Sequence, residues 1–173
     1  MQRIIILMVI TMAILLMGCQ AAKPIYTVPK VDLDRFMGDW YVIAAIPTFI
    51  EKQSFNAVET YRLDKDGSIL TTFRFNKGSL DGPLKTYSPR GFVKDTESNA
   101  VWGMQFIWPF KAEYRIIYLT DDYSQTVIGR SKRDYVWIMA RTPTIPDEDY
   151  QRIVEFIANQ GYRLDDLRKV PHG

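Results

Sequence analysis

The 173-residue chain contains one cysteine and one histidine. Those two scarcities remove much of the usual catalytic repertoire. The histidine is His172, next to the C-terminal glycine, so no imidazole base is offered inside the domain. Cys19 stands alone, so no internal disulfide staples the fold and packing must hold it together. No group of His, Cys, Asp and Glu has diagnostic metal-ligand spacing, and no glycine-rich phosphate loop occurs. Neither sign of charge dominates, with 22 Lys and Arg against 20 Asp and Glu. That balance, without a long basic run, argues against nucleic acid as a partner. Internal repeats, low-complexity tracts and a second domain are also lacking. Asp121-Asp122 resembles a carboxylate pair, but its place in a turn fits loop capping better than catalysis. The expectation is a protein that is not an enzyme and uses no cofactor and no metal.

What is present begins with an apolar run. Arg3 supplies a positive start, and Ile4 to Met17 form an almost uninterrupted apolar segment. It has the length of a signal-peptide core and falls short of the ~20 residues of a membrane-spanning helix. The run closes in Leu16-Met17-Gly18-Cys19, a small residue directly before cysteine, which resembles a bacterial lipoprotein signal. The resemblance implies cleavage before Cys19 and lipid chains on its new N-terminus. Each buried acyl methylene adds ~0.8 kcal/mol of membrane affinity, so several chains anchor firmly. Gln20, where an aspartate would imply inner-membrane retention, implies the outer membrane by analogy; the periplasmic side is the expectation, with the other side left open. Residues 1–18 then form a leader, 19–30 a lipidated tether containing Pro24 and Pro29, and 31–173 the domain. Without the leader 155 residues remain, enough for one domain with a sizeable core.

The domain reads as strands. After a helical turn at Asp32 to Met37, segments rich in β-branched and aromatic residues recur between turn signals. They fall at 38–47, 54–64, 68–77, 84–95, 99–108, 112–120, 124–131 and 134–142, with Asp66-Gly67 as a hairpin turn. Eight consecutive strands on short links favour an antiparallel meander. Closing that meander removes both edges and leaves room for one small ligand. Tyr150, Ile153, Val154, Ile157 and Ala158 then follow helical spacing over about 147–160. Thr144 with Asp147 resembles a capping box, and Gly161 is placed to end the helix. Tyr162 to Val170 is a last extended piece fit to pair with the barrel's edge. The expected fold is all-β with one helix: an eight-stranded antiparallel up-and-down barrel, a packed C-terminal helix and a tail strand.

Three motifs sit on that frame. Gly38-Asp39-Trp40-Tyr41 opens the first strand with a G-x-W-Y pattern. Thr120-Asp121-Asp122-Tyr123 lies between the sixth and seventh strands, a T-D-Y pattern with one extra acid. Arg141 ends the eighth strand. In this order and on these elements they resemble the lipocalin family over roughly residues 30–170. Joined to the Cys19 signal, the resemblance is to bacterial outer-membrane lipocalins. The physical roles follow without the family: Trp40 plugs the closed end, and Arg141 lays its guanidinium across the indole for ~0.5–2 kcal/mol. The remaining donors of Arg141 would tie down carbonyls of the nearby helical turn.

Strand alternation nominates the lining. With Trp40 inside, Val42 and Ala44 follow; then Ala57, Glu59 and Tyr61; then Ile69, Thr71 and Phe73. Later strands add Trp102, Met104 and Phe106, then Tyr114, Ile116 and Tyr118. Val127 and Gly129 are the seventh strand's share, and Tyr135, Trp137 and Met139 the eighth's. The set is apolar and aromatic with a few hydroxyls, which suits an acyl chain. Glu59 either faces the cavity, for a headgroup or a water, or lies on the surface through a one-residue slip. Phe49 and Ile50 in the first loop, and Ile107-Trp108-Pro109-Phe110 in a later one, form an apolar rim at the open end. Ligand capping, membrane contact, a homodimer and ordinary loop packing all remain open for it.

The function these features favour is a carrier whose partners are a fatty acid or lysophospholipid and the outer membrane. The resemblance implies service in lipid storage or transport for membrane maintenance. The alternatives are a structural or interaction lipoprotein with a filled barrel and, less favoured, a lipid-modifying enzyme.

Overall fold

The computed structural model describes residues 24–173; the leader and the lipidation site at Cys19 lie outside the described residues. The chain enters beside the barrel, with the Val28 amide on the Ile116 carbonyl and the Val31 amide on that of Ser98. It then makes one helical turn, α1 (Leu33–Phe36), capped by Asp32, whose carboxylate accepts from the Arg35 amide at 3.2 Å.

Strands β1 (Gly38–Ile46), β2 (Ser54–Leu63), β3 (Ile69–Lys77), β4 (Leu84–Tyr87), β5 (Arg90–Val93), β6 (Val101–Ile107), β7 (Phe110–Leu119), β8 (Gln125–Gly129) and β9 (Val136–Ala140) follow. Each pairs antiparallel with its neighbour, and β9 returns to β1, which closes the sheet into a barrel of eight positions. β4 and β5 share one position, both on β3. The single strand expected over 84–95 is broken at Ser88-Pro89, because proline has no N–H to give the ladder. The Pro89 carbonyl still accepts from the Thr71 amide, which keeps the two pieces on one partner. Asp66-Gly67 turns β2 into β3 with Gly67 at φ +78°.

Helix α2 (Asp147–Asn159) packs outside the barrel and buries Ile153 and Ile157. Its start departs from expectation. The N-cap is Pro146 with no side-chain cap bond, so the Thr144–Asp147 box does not form; the Thr144 carbonyl instead accepts from Thr142 Oγ1. Its end conforms: Gly161 sits at φ +89°, with amides of Tyr162 and Gly161 on the Ile157 and Ala158 carbonyls. The tail strand β10 (Arg168–Lys169) finds no free edge. It wedges in where β1 and β2 part, with Val170 N on Ile43 O and Asn56 N on Pro171 O.

Two cores result. One fills the barrel around Trp40, Tyr61, Trp102 and Ile116, and the other joins α2 to the barrel's outer face through Ile43, Ile117, Val127 and Ile138. The barrel closes on itself and packs on its own helix, which gives residues 24–173 two continuous cores.

The motif residues meet at the closed end. Trp40 is fully buried against the Phe36 ring and donates to the Phe36 carbonyl at 2.8 Å. Arg141 lies 3.8 Å over the indole and donates to the carbonyls of Asp39, Arg35, Phe36 and Tyr123. Gly38 is held at φ +97°, so the backbone there favours glycine, while Arg141 Nη1 would make only an ordinary contact with a Cβ, at 3.4 Å. Thr120 Oγ1 accepts from the Ser124 and Gln125 amides, while the Tyr123 hydroxyl accepts from the Asp32 amide. Tyr41 points away, into the helix-side core. Asp121 contributes its carbonyl to Arg35, and Asp122 is held down to about 2 by the Thr120 and Ser124 hydroxyls.

Four lining expectations fail, two of them at bulges. β1 carries a bulge between Val42 and Ala44, so Ala44 joins the core under the helix and Ala45 turns inward. β7 carries another between Ile116 and Tyr118, so Tyr118 faces out and packs on Phe156 at 5.3 Å. On β8 the phase is opposite to that expected: Val127 faces the helix and Ile128 the interior. Gly129 likewise faces out, where an added Cβ would stand 2.5 Å from Tyr162 Oη.

Candidate functional site

Above the aromatic floor the barrel opens into a cavity of about 510 Å3, within the range of small-ligand sites. Glu59, Thr71, Phe73, Met104, Phe106, Tyr114, Tyr135 and Trp137 line it. Tyr61, Ile69, Trp102, Ile116 and Met139 are inside the barrel but toward its closed end, in the packed core rather than on the cavity wall. There Trp102 stacks on Tyr114 with centroids 5.0 Å apart, and Phe36 meets Trp102 edge-on at 5.4 Å. The wall is therefore solid below and open above.

The mouth is apolar. Phe49, Ile50, Phe106 and Ile107 border the cavity. Phe49 and Trp108 are each 82% exposed, Phe110 is 76% exposed and Ile107 73%. The described chain starts on the barrel's outer wall, where Ile25 is buried in the helix-side core with Ile117 and Tyr162.

Four cavity residues carry charge: Glu51, Glu59, Glu113 and Arg130. Burial raises the Glu59 carboxyl to about 7, partly countered by the Tyr61 hydroxyl and reinforced by Glu51. Tyr61 donates to Glu59 Oε2, and the Tyr61 and Tyr114 hydroxyls are 2.7 Å apart, giving a relay from β7 to β2. Burial also raises Glu51, against the pull of the Thr48 amide and the Trp137 indole N–H, which donate to its Oε2 at 3.2 and 3.1 Å. For Glu113, burial is outweighed by bonds from Ser131 and Arg115, which hold its carboxyl below the usual value. Arg130 pairs with Asp134 at 3.3 Å and lies over the Tyr135 ring.

Sequence reasoning missed Glu51, Tyr87 and Arg130 among the cavity residues. Tyr87 was hidden by the strand break at Pro89. Glu51 and Arg130 sit in loops, where no alternation reports direction, and Glu51 turns inward only because Trp137 and Thr48 receive it. No group of three or more His, Cys, Asp and Glu fit to hold a metal occurs among the described residues.

The family model for the Lipocalin-like domain matches residues 31–172. The chain belongs to the lipocalin family. Among relatives of this lipocalin, the outer membrane lipoprotein Blc of Citrobacter freundii is 30% identical over 161 residues, covering 91% of this chain and 90% of that protein. Temperature-induced lipocalin-1 of Arabidopsis thaliana is 29% identical over 161 residues, covering 86% and 83%. Among solved structures, insecticyanin from the tobacco hornworm Manduca sexta superposes with a TM-score of 0.68 at 14% identity, covering 90% of this chain and 87% of that one. At that identity the likeness speaks for the fold. The lipocalin barrel here is built to bind a hydrophobic ligand: apolar walls, one open mouth, and buried polar groups able to fix a polar end.

Proposed function

We propose that this lipocalin is an outer-membrane-anchored carrier of single-chain lipids, fatty acids or lysophospholipids, for lipid storage or transport in membrane maintenance. The observation that carries the reading is the coincidence of two features at one end of the barrel: the cavity mouth and the exposed apolar rim. Cys19 lies five residues before Pro24. At ~3.3–3.6 Å per extended residue, Cys19 would stand no more than ~18 Å from Pro24. An acylated Cys19 would therefore keep the barrel close to the bilayer, where Phe49, Ile107, Trp108 and Phe110 would meet lipid instead of water once the rim faces it. The Blc relatives are named outer membrane lipoproteins, which supports the anchor. Burial of a hydrocarbon chain at ~25 cal/mol per Å2 of apolar surface drives binding.

The test is titration of delipidated residues 24–173 with a fluorescent fatty acid, followed by tryptophan emission. Saturable quenching near one equivalent, reversed by lysophospholipid, is expected. A folded protein without saturable uptake refutes the carrier and turns attention to protein partners of the rim.

A further inference from the structure

Resting on the membrane side of the reading above, we propose that the open end of the barrel docks on an anionic phospholipid surface. Its apolar rim enters the bilayer boundary, and Lys52, Lys77, Lys111 and Lys132 meet lipid phosphates. A tether at Cys19 limits the distance to a membrane and leaves the orientation open. The charge layout of the barrel supplies that orientation.

The two ends of the barrel differ in sign. Lys52 shares the β1–β2 loop with Phe49, Lys111 follows Phe110, and Lys132 lies between the cavity residues Arg130 and Tyr135. Lys77 ends β3 opposite Ser54, where the Gly78 amide bonds the Gln53 carbonyl of the β1–β2 loop at 2.8 Å. All four lysines are exposed, and none pairs with an acid among the described residues. Most acids at this end are already engaged. Glu51 is buried, Glu113 is bonded by Arg115 and Ser131, and Asp134 pairs with Arg130. Asp81 and the C-terminal carboxylate, beside Leu80, are the exposed remainder. The closed end is the reverse. Asp66, Glu97, Asp121 and Asp122 are exposed in its turns. There too α2 begins, with exposed Asp147 and Glu148, placed by the bond from Gln125 at the start of β8 to Asp149.

A dipole of this sense turns the mouth toward a negative surface before any contact forms. Apolar and basic groups on one face are the two signals that together hold a protein at a bilayer interface. Trp108, 82% exposed, suits headgroup depth. Each lysine at an anionic surface is worth about fivefold in affinity. A second copy of the chain fits this face poorly, because a twofold contact would gather both sets of lysines in one interface. Docked in this way, the cavity mouth opens onto the bilayer, and a single-chain lipid passes between them without crossing water.

The test uses the full chain reconstituted into phosphatidylcholine vesicles with or without phosphatidylglycerol. The lipid acyl chains are brominated, and quenching of tryptophan emission is followed. Trp40 and Trp102 are buried in the barrel, so quenching that disappears in Trp108→Leu belongs to the rim. Rim quenching should be at least about twofold stronger with phosphatidylglycerol present. It should fall to the phosphatidylcholine level at ~1 M salt, where the Debye length is ~3 Å. A variant combining Lys52→Gln, Lys111→Gln and Lys132→Gln should give the phosphatidylcholine level on both vesicles, with its fold checked by circular dichroism. Equal rim quenching on the two vesicles, or quenching unchanged in the triple variant, overturns the anionic surface and leaves a rim indifferent to charge. No rim quenching on either vesicle overturns docking altogether. Uptake of a fluorescent fatty acid by the same reconstituted protein reads the carrier separately. Uptake without docking refutes this inference and leaves the carrier standing, whereas docking without uptake refutes the carrier and leaves the surface contact.

Discussion

Glu59 makes the stability of this lipocalin depend on pH in a direction opposite to most carboxylates. Its carboxyl stands at about 7 in the fold against 4.5 in the open chain. At about 1.4 kcal/mol per tenfold change in proton affinity, that gap corresponds to roughly 3 kcal/mol. The sign follows from proton counts. Between those two values the native state holds a proton that the unfolded state has lost, so stability falls as pH rises. The contribution is complete below 4.5 and gone above about 7. Groups held low, such as Asp122 at about 2 and Glu113, act elsewhere, losing their contribution only as the solution becomes strongly acid. Glu51, also raised by burial, adds to the same downward slope. Urea denaturation of delipidated residues 24–173, from about pH 5 to 8, should show unfolding free energy falling by up to ~3 kcal/mol more in the wild type than in Glu59→Gln. Solvent access through the open mouth makes that figure an upper one. Parallel curves for the two proteins would mean that Glu59 is already charged or solvated in the native barrel, and would refute its burial beside Tyr61.

Two further perturbations separate scaffold from site. Arg141→Ala removes the cation over Trp40 and donors to several backbone carbonyls, so roughly 2–4 kcal/mol should be lost in thermal or urea unfolding. Arg141→Lys should recover less than half, because an ammonium cannot span the same fork, while ligand affinity stays within about twofold in either folded variant. Tyr118→Ala, trimming the ring on Phe156, should lower stability by about 1–2 kcal/mol and leave fatty-acid uptake unchanged. Trp137→Ala should instead weaken uptake severalfold, since it opens the wall and frees Glu51. If Tyr118→Ala abolished uptake, the outward phase of β7 after its bulge would be wrong.

The architecture was legible because its signals are local: alternation over seven to ten residues, turn residues between runs, and a helical stripe ending at Gly161. Errors gathered where one residue resets the alternation. Ala44 and Tyr118 each follow a bulge, and a bulge leaves no residue signature, since Ile43 and Ile117 read like any other strand residues. The strand at 84–95 failed for a reason that was visible, Pro89 in its middle. Helix capping failed because Pro146 already imposes the turn that Thr144 was expected to supply.

The two ends of the barrel explain why family and function were unequally readable. At the closed end, Trp40, Tyr123 and Arg141 bond to backbone atoms of neighbouring segments, Thr120 to those of its own loop, and Gly38 takes a positive φ. Such contacts demand particular residue types at fixed sequence positions, and so they leave a pattern in the chain. At the open end, the cavity asks only for apolar bulk on its walls, and many residues satisfy that. Its two distinguishing groups are the acids Glu51 and Glu59, brought to one cavity from a loop and a strand. Glu59 could be nominated from strand alternation, with its facing left open, whereas Glu51, in a loop, looks like an ordinary surface carboxylate in the sequence. Only closure of the barrel removes their solvent and leaves Tyr61, Trp137 and Thr48 as their sole protein donors among the described residues. The scaffold is thus specified by motif and the ligand by enclosure, so variants of Glu51 and Glu59 should change what the barrel takes without changing that it folds.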